Sequence, residues 1–178
     1  MFMKHRKTNR LSNFDYSSSG YYFVTVCTKD RQEYFGHIIN NEMVVNKYGA
    51  NTKYCWFEIP KHFPNVELDE FGVMPNHIHG IIIIRNLNQS VGNKNFCSLQ
   101  NKKIPWQTML SKSLSSVIRG FKIGVTEYCH NNNLKIFTWQ KSFYDHIIRN
   151  EYSLFKIRLY IRNNPINWSE DRNNCKKR

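Results

Sequence analysis

Two histidines separated by a single residue open the most strand-prone stretch of this chain, in which Met74-Pro75-Asn76-His77-Ile78-His79-Gly80 runs into Ile81-Ile82-Ile83-Ile84. Side chains alternate between the faces of a strand, so His77 and His79 point the same way, about 7 Å apart by strand rise. Both rings can then lean onto one cation. The spacing does not name the metal. It also departs from the His-x-His-x-Asp-His pattern of dinuclear metallohydrolases, because Ile81 and Ile82 stand at the last two places. A second chemical group comes from far along the chain, where Tyr160 and Asn164 are four residues apart and share one face of a helix. A phenol ionises near pH 10, so as a nucleophile at neutral pH it needs a cation or a base beside it. Phosphoryl transfer asks for a nucleophile, neutralised charge on the phosphate, and positioning. A divalent ion held by two imidazoles and an amide oxygen would meet the second requirement. Taken singly, each group also has a plain structural use: a hydrogen-bonded histidine at a strand end, a tyrosine bordering a buried stripe.

These residues need elements to carry them. Four consecutive isoleucines are β-branched and poor helix formers, which predicts a buried central strand over His77–Ile84. Pro75-Asn76 is a turn signal, so Val66–Met74 should precede it as an antiparallel partner. Tyr21–Thr28 reads as a first strand, and Asn40-Asn41 between two short apolar runs reads as a hairpin. Lys47–Ile59 is a weak helix that Pro60 would terminate, and Trp106 to about Cys129 is a helix ended by Asn131-Asn132-Asn133. Leu134–Trp139 is expected as a short strand. Asn150 then caps a last helix through Asn163, with Leu154, Ile157 and Ile161 on the arc toward the sheet. The sum is a single α+β domain, a ferredoxin-like antiparallel sheet with helices packed on one face. Residues 1–20 read as a basic flexible arm, 21–168 as the domain, and 169–178 as a basic polar tail. The polar stretch 86–103 reads as a long loop.

Lys and Arg number 26 against 13 Asp and Glu, and a net charge of +13 on one domain points to a polyanion, nucleic acid first. Abundant aromatics add the means to stack on unpaired bases. Lys4, Arg6, Lys7 and Arg10 in the arm, Lys112 beside the polar loop, and Arg119 with Lys122 on the following helix could track a phosphate backbone. Five scattered cysteines form no Cys-x-x-Cys pair, which disfavours a disulfide framework or zinc knuckle and suits a reducing, cytoplasmic setting. No signal peptide is read at the start, and no apolar run is long enough to cross a bilayer.

His77-Ile78-His79 fits the His-hydrophobe-His motif of the single-tyrosine HUH nucleases and transposases. The segment Trp139-Gln140-Lys141-Ser142-Phe143-Tyr144-Asp145-His146-Ile147-Ile148-Arg149-Asn150, continuing to Tyr160-Ile161-Arg162-Asn163-Asn164-Pro165, resembles the REP-associated branch of that family. The likeness runs from about Tyr21 to Trp168. It implies Mg²⁺ or Mn²⁺ on His77, His79 and a polar side chain of the last helix, at the place of Asn164, where some relatives carry Gln. It also implies Tyr160 as the nucleophile on single-stranded or hairpin DNA, leaving a 5′-phosphotyrosine and a free 3′-hydroxyl. The assembly would be a monomer or a homodimer, since dimeric relatives can exchange the tyrosine helix. Tyr144, with Asp145 and His146 as base and orienter, is the competing nucleophile. The rival reading from another class is a non-catalytic ferredoxin-like module that binds nucleic acid.

Overall fold

The computed structural model describes residues 14–85 and 113–174. Its centre is a four-stranded antiparallel sheet of β1 (Gly20–Cys27), β4 (Val66–Met74), β5 (His77–Ile84) and β6 (Tyr144–Ile148), in the order β4-β5-β1-β6. Every residue of β5 is buried, because the sheet is covered on both sides there, and such a strand must be apolar throughout. That is what the isoleucine run is for. Tyr22, Val24 and Val26 of β1 and Ile78, Ile82 and Ile84 of β5 share a core with α1 (Lys47–Phe57) and α3 (Leu114–Asn131). Phe23 and Ile81, one residue out of step, belong to a second core with Ile148 and with Leu154 and Ile161 of α4 (Glu151–Asn163). The antiparallel sheet with α1 and α3 together on one face is as the sequence led us to expect. The last helix, α4, lies on the other face, and His77 and His79 open onto that side.

Several elements form for the reasons read in the sequence. β2 (Gly36–Ile39) and β3 (Glu42–Val45) make the expected hairpin. Asn40 and Asn41 between them adopt φ of 50° and 65°, left-handed values that asparagine tolerates better than most residues. The Asn150 side chain accepts from the Ser153 amide at 2.8 Å and starts α4. Other expectations are corrected. Lys47–Ile59 stops at Phe57, and Pro60 sits in the first turn of a further short helix, α2 (Ile59–His62), where its missing N–H costs nothing. The helix expected from Trp106 begins at Leu114 behind a Ser113 cap, and residues 106–112 lie outside those described. Leu134–Trp139 is not a strand. It turns through a Phe137 amide bond to the Leu134 carbonyl, touching the sheet only in a single Thr28–Trp139 bridge. The fourth strand is instead β6, where Asp145 and His146 break the apolar alternation that marks a strand.

α4 is held by an apolar seam and by an irregularity in β4. The β4–β5 register shifts between Leu68 and Phe71, and the two residues in the shift, Asp69 and Glu70, both engage the helix. Arg158 donates to both Asp69 carboxylate oxygens, at 2.8 and 2.5 Å, and Arg162 to Glu70 at 2.7 Å. These pairs are partly exposed, so solvent screens them and each contributes little. Burying Leu154 and Ile161 contributes about 1.5–3 kcal/mol apiece, so the seam fastens the helix and the ion pairs set its register. Gly80 does the corresponding work on the other face. A Cβ there would lie 2.2 Å from the buried Trp56 ring. Gly80→Ala should therefore lower stability by about 1–3 kcal/mol through overpacking, read from the urea midpoint, and the loss should shrink in a Trp56→Phe background.

Candidate metal and nucleophile site

Asn76 is fully buried in the β4–β5 turn, and its hydrogen bonds fix the chemistry of its neighbour. Its Nδ2 donates to the Arg31 carbonyl at 3.0 Å and to the Asn173 carbonyl at 2.8 Å. The oxygen Oδ1 is thereby turned to His77 Nδ1, 2.8 Å away, so that nitrogen must carry the proton. His77 Nε2 is left with a lone pair. On the neighbouring strand Thr25, the register partner of His79, places its hydroxyl 2.8 Å from His79 Nδ1. The two Nε2 atoms then face each other at 2.9 Å. Burial, reinforced by the charges of Arg31 and Arg172, pushes the His77 pKa down to about 3. Burial, then the neighbouring His77, holds His79 well below the usual histidine range. Both rings are neutral at pH 7, the state a metal requires of an imidazole.

A carboxylate joins the two imidazoles, and an amide is tied to that carboxylate. One carboxylate oxygen of Asp171 and one nitrogen from each histidine lie within 4.8 Å of one another, and all three residues are buried. Asn164, just past the end of α4, donates from Nδ2 to Asp171 Oδ2 at 3.0 Å. That contact turns Asn164 Oδ1 the other way, where it is buried without a hydrogen-bond partner. A buried, orphaned acceptor on a residue that binds Asp171, which itself lies within reach of both histidines, is what a cation site would leave. The Tyr160 hydroxyl lies 3.3 Å from His79 Nε2, and its ring stacks edge-on to the Phe23 and His79 rings. Burial first, then the Asp171 charge, raises the Tyr160 pKa, and Arg172 opposes the shift. The phenol is protonated at neutral pH unless a cation offsets those effects. The residues fit a divalent ion held by two nitrogens and by oxygen from Asp171, Asn164 or both.

No family model matches the chain. A Haemophilus influenzae protein described as uncharacterized is 44% identical over 168 residues, covering 94% of this chain and 92% of that protein. The chain belongs to the family of that protein. Among solved structures, a REP-associated tyrosine transposase bound to a REP hairpin aligns with a TM-score of 0.57 and 21% identity, covering 89% of this chain and 74% of that one. This chain has the fold of a REP-associated tyrosine transposase.

Within that transposase fold, His77, His79 and Tyr160 of one chain meet, with Asn164 beside Tyr160. Tyr144 lies on the same face, its ring 6.3 Å from that of Phe23, in a cleft of about 430 Å³ lined also by Tyr160 and Asn164. Consecutive strand residues face opposite ways, so Asp145 points to the α1–α3 side while His146 stays exposed on the α4 side. The two do not form a base and its orienter for Tyr144. Lys122 and Arg119 are on α3, across the sheet from the histidines. Lys122 donates to the Gln140 and Ser142 carbonyls at 2.7 and 3.2 Å, and burial lowers its pKa to about 8. It ties α3 to that loop. Arg119 is exposed. Lys4, Arg6, Lys7, Arg10 and Lys112 lie outside the described residues, as does the stretch 86–103.

Asp171 is the site residue that sequence reasoning missed, because it fell in the stretch 169–178, read as a basic polar tail. Trp168 is buried with its ring 6.0 Å from that of His77, and Asp171 and Asn173 are buried after it. The signal was Trp168 itself, since a tryptophan has a large apolar area to hide and a fraying tail has nowhere to hide it. The buried histidines also set a pH window. An unfolded imidazole takes its proton near 6.5, whereas His77 in place resists until about 3. In protein stripped of metal, the stability that His77 contributes should be full above 6.5 and drain away as pH falls toward about 3. Thermal melts across that range should show a shallower decline for His77→Gln than for the parent chain.

Proposed function

We propose that this protein is a metal-dependent enzyme that cleaves and rejoins single-stranded DNA through Tyr160, with hairpin-bearing DNA as its substrate. One observation carries the reading: the Tyr160 hydroxyl sits 3.3 Å from His79 Nε2, beside a buried Asn164 oxygen that nothing in the protein satisfies. The fold shared with a transposase bound to a REP hairpin and the net charge of +13 support a DNA substrate. Mn²⁺ or Mg²⁺ on His77, His79, Asp171 and Asn164 would supply positive charge to the scissile phosphate and to the ionising phenol. The protein's own residues do the rest. Asn76 holds His77 in the tautomer that leaves its Nε2 free, Thr25 anchors His79 through Nδ1, and Asp171 fixes the Asn164 amide. Tyr160 attacks phosphorus, the bond to the 3′-oxygen breaks, and the phenolic proton passes to solvent while the departing oxygen gains one. The product is a 5′-phosphotyrosine, and a 3′-hydroxyl attacking it reverses the step and joins the strands.

A labelled oligonucleotide bearing a hairpin between single-stranded arms, incubated with the protein and Mn²⁺, should yield a covalent adduct. Tyr160→Phe should abolish it and Tyr144→Phe should not. An adduct that survives the first change and is lost in the second would move the nucleophile to Tyr144. DNA binding with neither an adduct nor a histidine-dependent Mn²⁺ site would instead make the protein a non-catalytic nucleic-acid-binding module. In calorimetric titration, Thr25→Val should weaken Mn²⁺ binding roughly 10–100-fold, the usual cost of losing the group that orients a metal-bound histidine.

A further inference from the structure

The segment after α4 alternates between buried and exposed side chains, and the exposed one has no part in the chemistry so far. Asp171 and Asn173 are buried and Arg172 between them is exposed. The flanking pair is fastened in several ways. Asp171 Oδ1 accepts from the Asn173 amide at 2.5 Å, the Asn173 carbonyl accepts from Asn76 at 2.8 Å, and the Asn174 amide donates to the Asp171 carbonyl at 3.0 Å. Arg31 donates in addition to the Asn173 side-chain oxygen. With both neighbours pinned, Arg172 is presented to the cleft that holds Tyr160 and Asn164. Its guanidinium lies over the Tyr144 ring, 5.3 Å from the centroid. Arg85, Arg158 and Arg162 face carboxylates instead, at 3.0, 2.5 and 2.6 Å, so their charge is already matched within the protein.

The position of that cation is informative. It shares the wall of one cleft with the Tyr160 hydroxyl-bearing ring, Asn164 and Asp171, so a phosphate brought to Tyr160 there would meet it. The cleft, about 430 Å³, falls in the range of small-ligand sites, roughly 300–1,000 Å³. Its wall pairs a forked donor with aromatic rings, Phe23 and Tyr144, the combination that suits a nucleotide's phosphate and base.

Building on the reading of Tyr160 as nucleophile, we propose that Arg172 is a catalytic residue that binds the scissile phosphate of the DNA strand. Tyr144 is its positioning residue, supporting the guanidinium by stacking. Arg172 contributes hydrogen bonds to the non-bridging oxygens as the Tyr160–phosphorus bond forms and the phosphorus–O3′ bond breaks, and it takes no proton in the step.

The test is single-turnover adduct formation with Mn²⁺ and the hairpin oligonucleotide described above, made with either a normal or a methylphosphonate linkage at the cleaved position. On the normal strand Arg172→Ala should slow the reaction about 10²–10³-fold, the usual loss when a donor to developing charge is removed. Mn²⁺ affinity and melting temperature should be unchanged. Arg172→Lys should recover part of the rate, since it keeps the charge and loses the fork. Tyr144→Phe should retain it and Tyr144→Leu should not. On the methylphosphonate strand, which has one charged oxygen fewer, the penalty for Arg172→Ala should largely vanish. An equal penalty on both strands, or a full rate for Arg172→Ala while the parent chain forms its Tyr160 adduct, would overturn the assignment to Arg172 alone. Failure of the parent chain to form any adduct would remove the enzymatic reading and this inference with it.

Discussion

Excluding two uncharged imidazoles from water at the start of a central strand is the constraint on which the rest of this structure turns. A buried histidine that kept its proton would need a counter-charge, and one left without partners would lose the hydrogen bonds water gave it. The protein answers with a neutral ring on each residue and a hydrogen-bond partner at each Nδ1. Asn76 serves His77 and Thr25 serves His79, and Asn76 is itself fixed by carbonyls from two distant loops. The turn before β5 thus depends on Arg31 and on Asn173, which come from opposite ends of the chain. Folding the sheet and assembling the candidate site are the same event.

The helix that carries the phenol is constrained in a different way. Leu154 and Ile161 give it a buried stripe against Phe23, Ile81 and Ile148, but a greasy stripe permits sliding and rotation. Arg158 and Arg162 lie one turn apart and flank Tyr160, and each meets a carboxylate from the displaced stretch of β4. Two fixed points along one helix leave little freedom for the turn between them. Asn164 follows at the next turn, and Asp171 restrains it through a single hydrogen bond.

What could be read from the residues followed strength of pattern. The isoleucine run, the Pro75-Asn76 turn and the Asn40-Asn41 hairpin are short-range signals that tertiary contacts reinforced. The last helix was legible for the same reason, since its cap and its apolar period agree. β6 was not legible, because an edge strand tolerates the charged and polar residues that hide its alternation. The stretch 134–139 looked like a strand because aromatic and β-branched residues favour one. Phe137 and Trp139 instead spend their surface on Phe35 and Phe121 in the α1–α3 core. Nor could single-sequence periodicity show which face of the sheet each helix covers, as that depends on the path of the connections. In the site, the histidines and Tyr160 stood out by type and spacing, whereas Asp171 is placed by a backbone turn whose cue in the sequence is the tryptophan before it.

The displaced stretch of β4 has a consequence for the company this sheet can keep. β4 is one of its two margins, and a margin that offers a regular row of amides and carbonyls invites another chain to extend the ladder. Here the row is interrupted between Leu68 and Phe71, and its two acidic side chains are already committed to α4. The opposite margin, β6, is only five residues long and carries Asp145 and His146. Strand-by-strand growth into fibres is discouraged on both flanks by the same economy of residues that steadies the tyrosine.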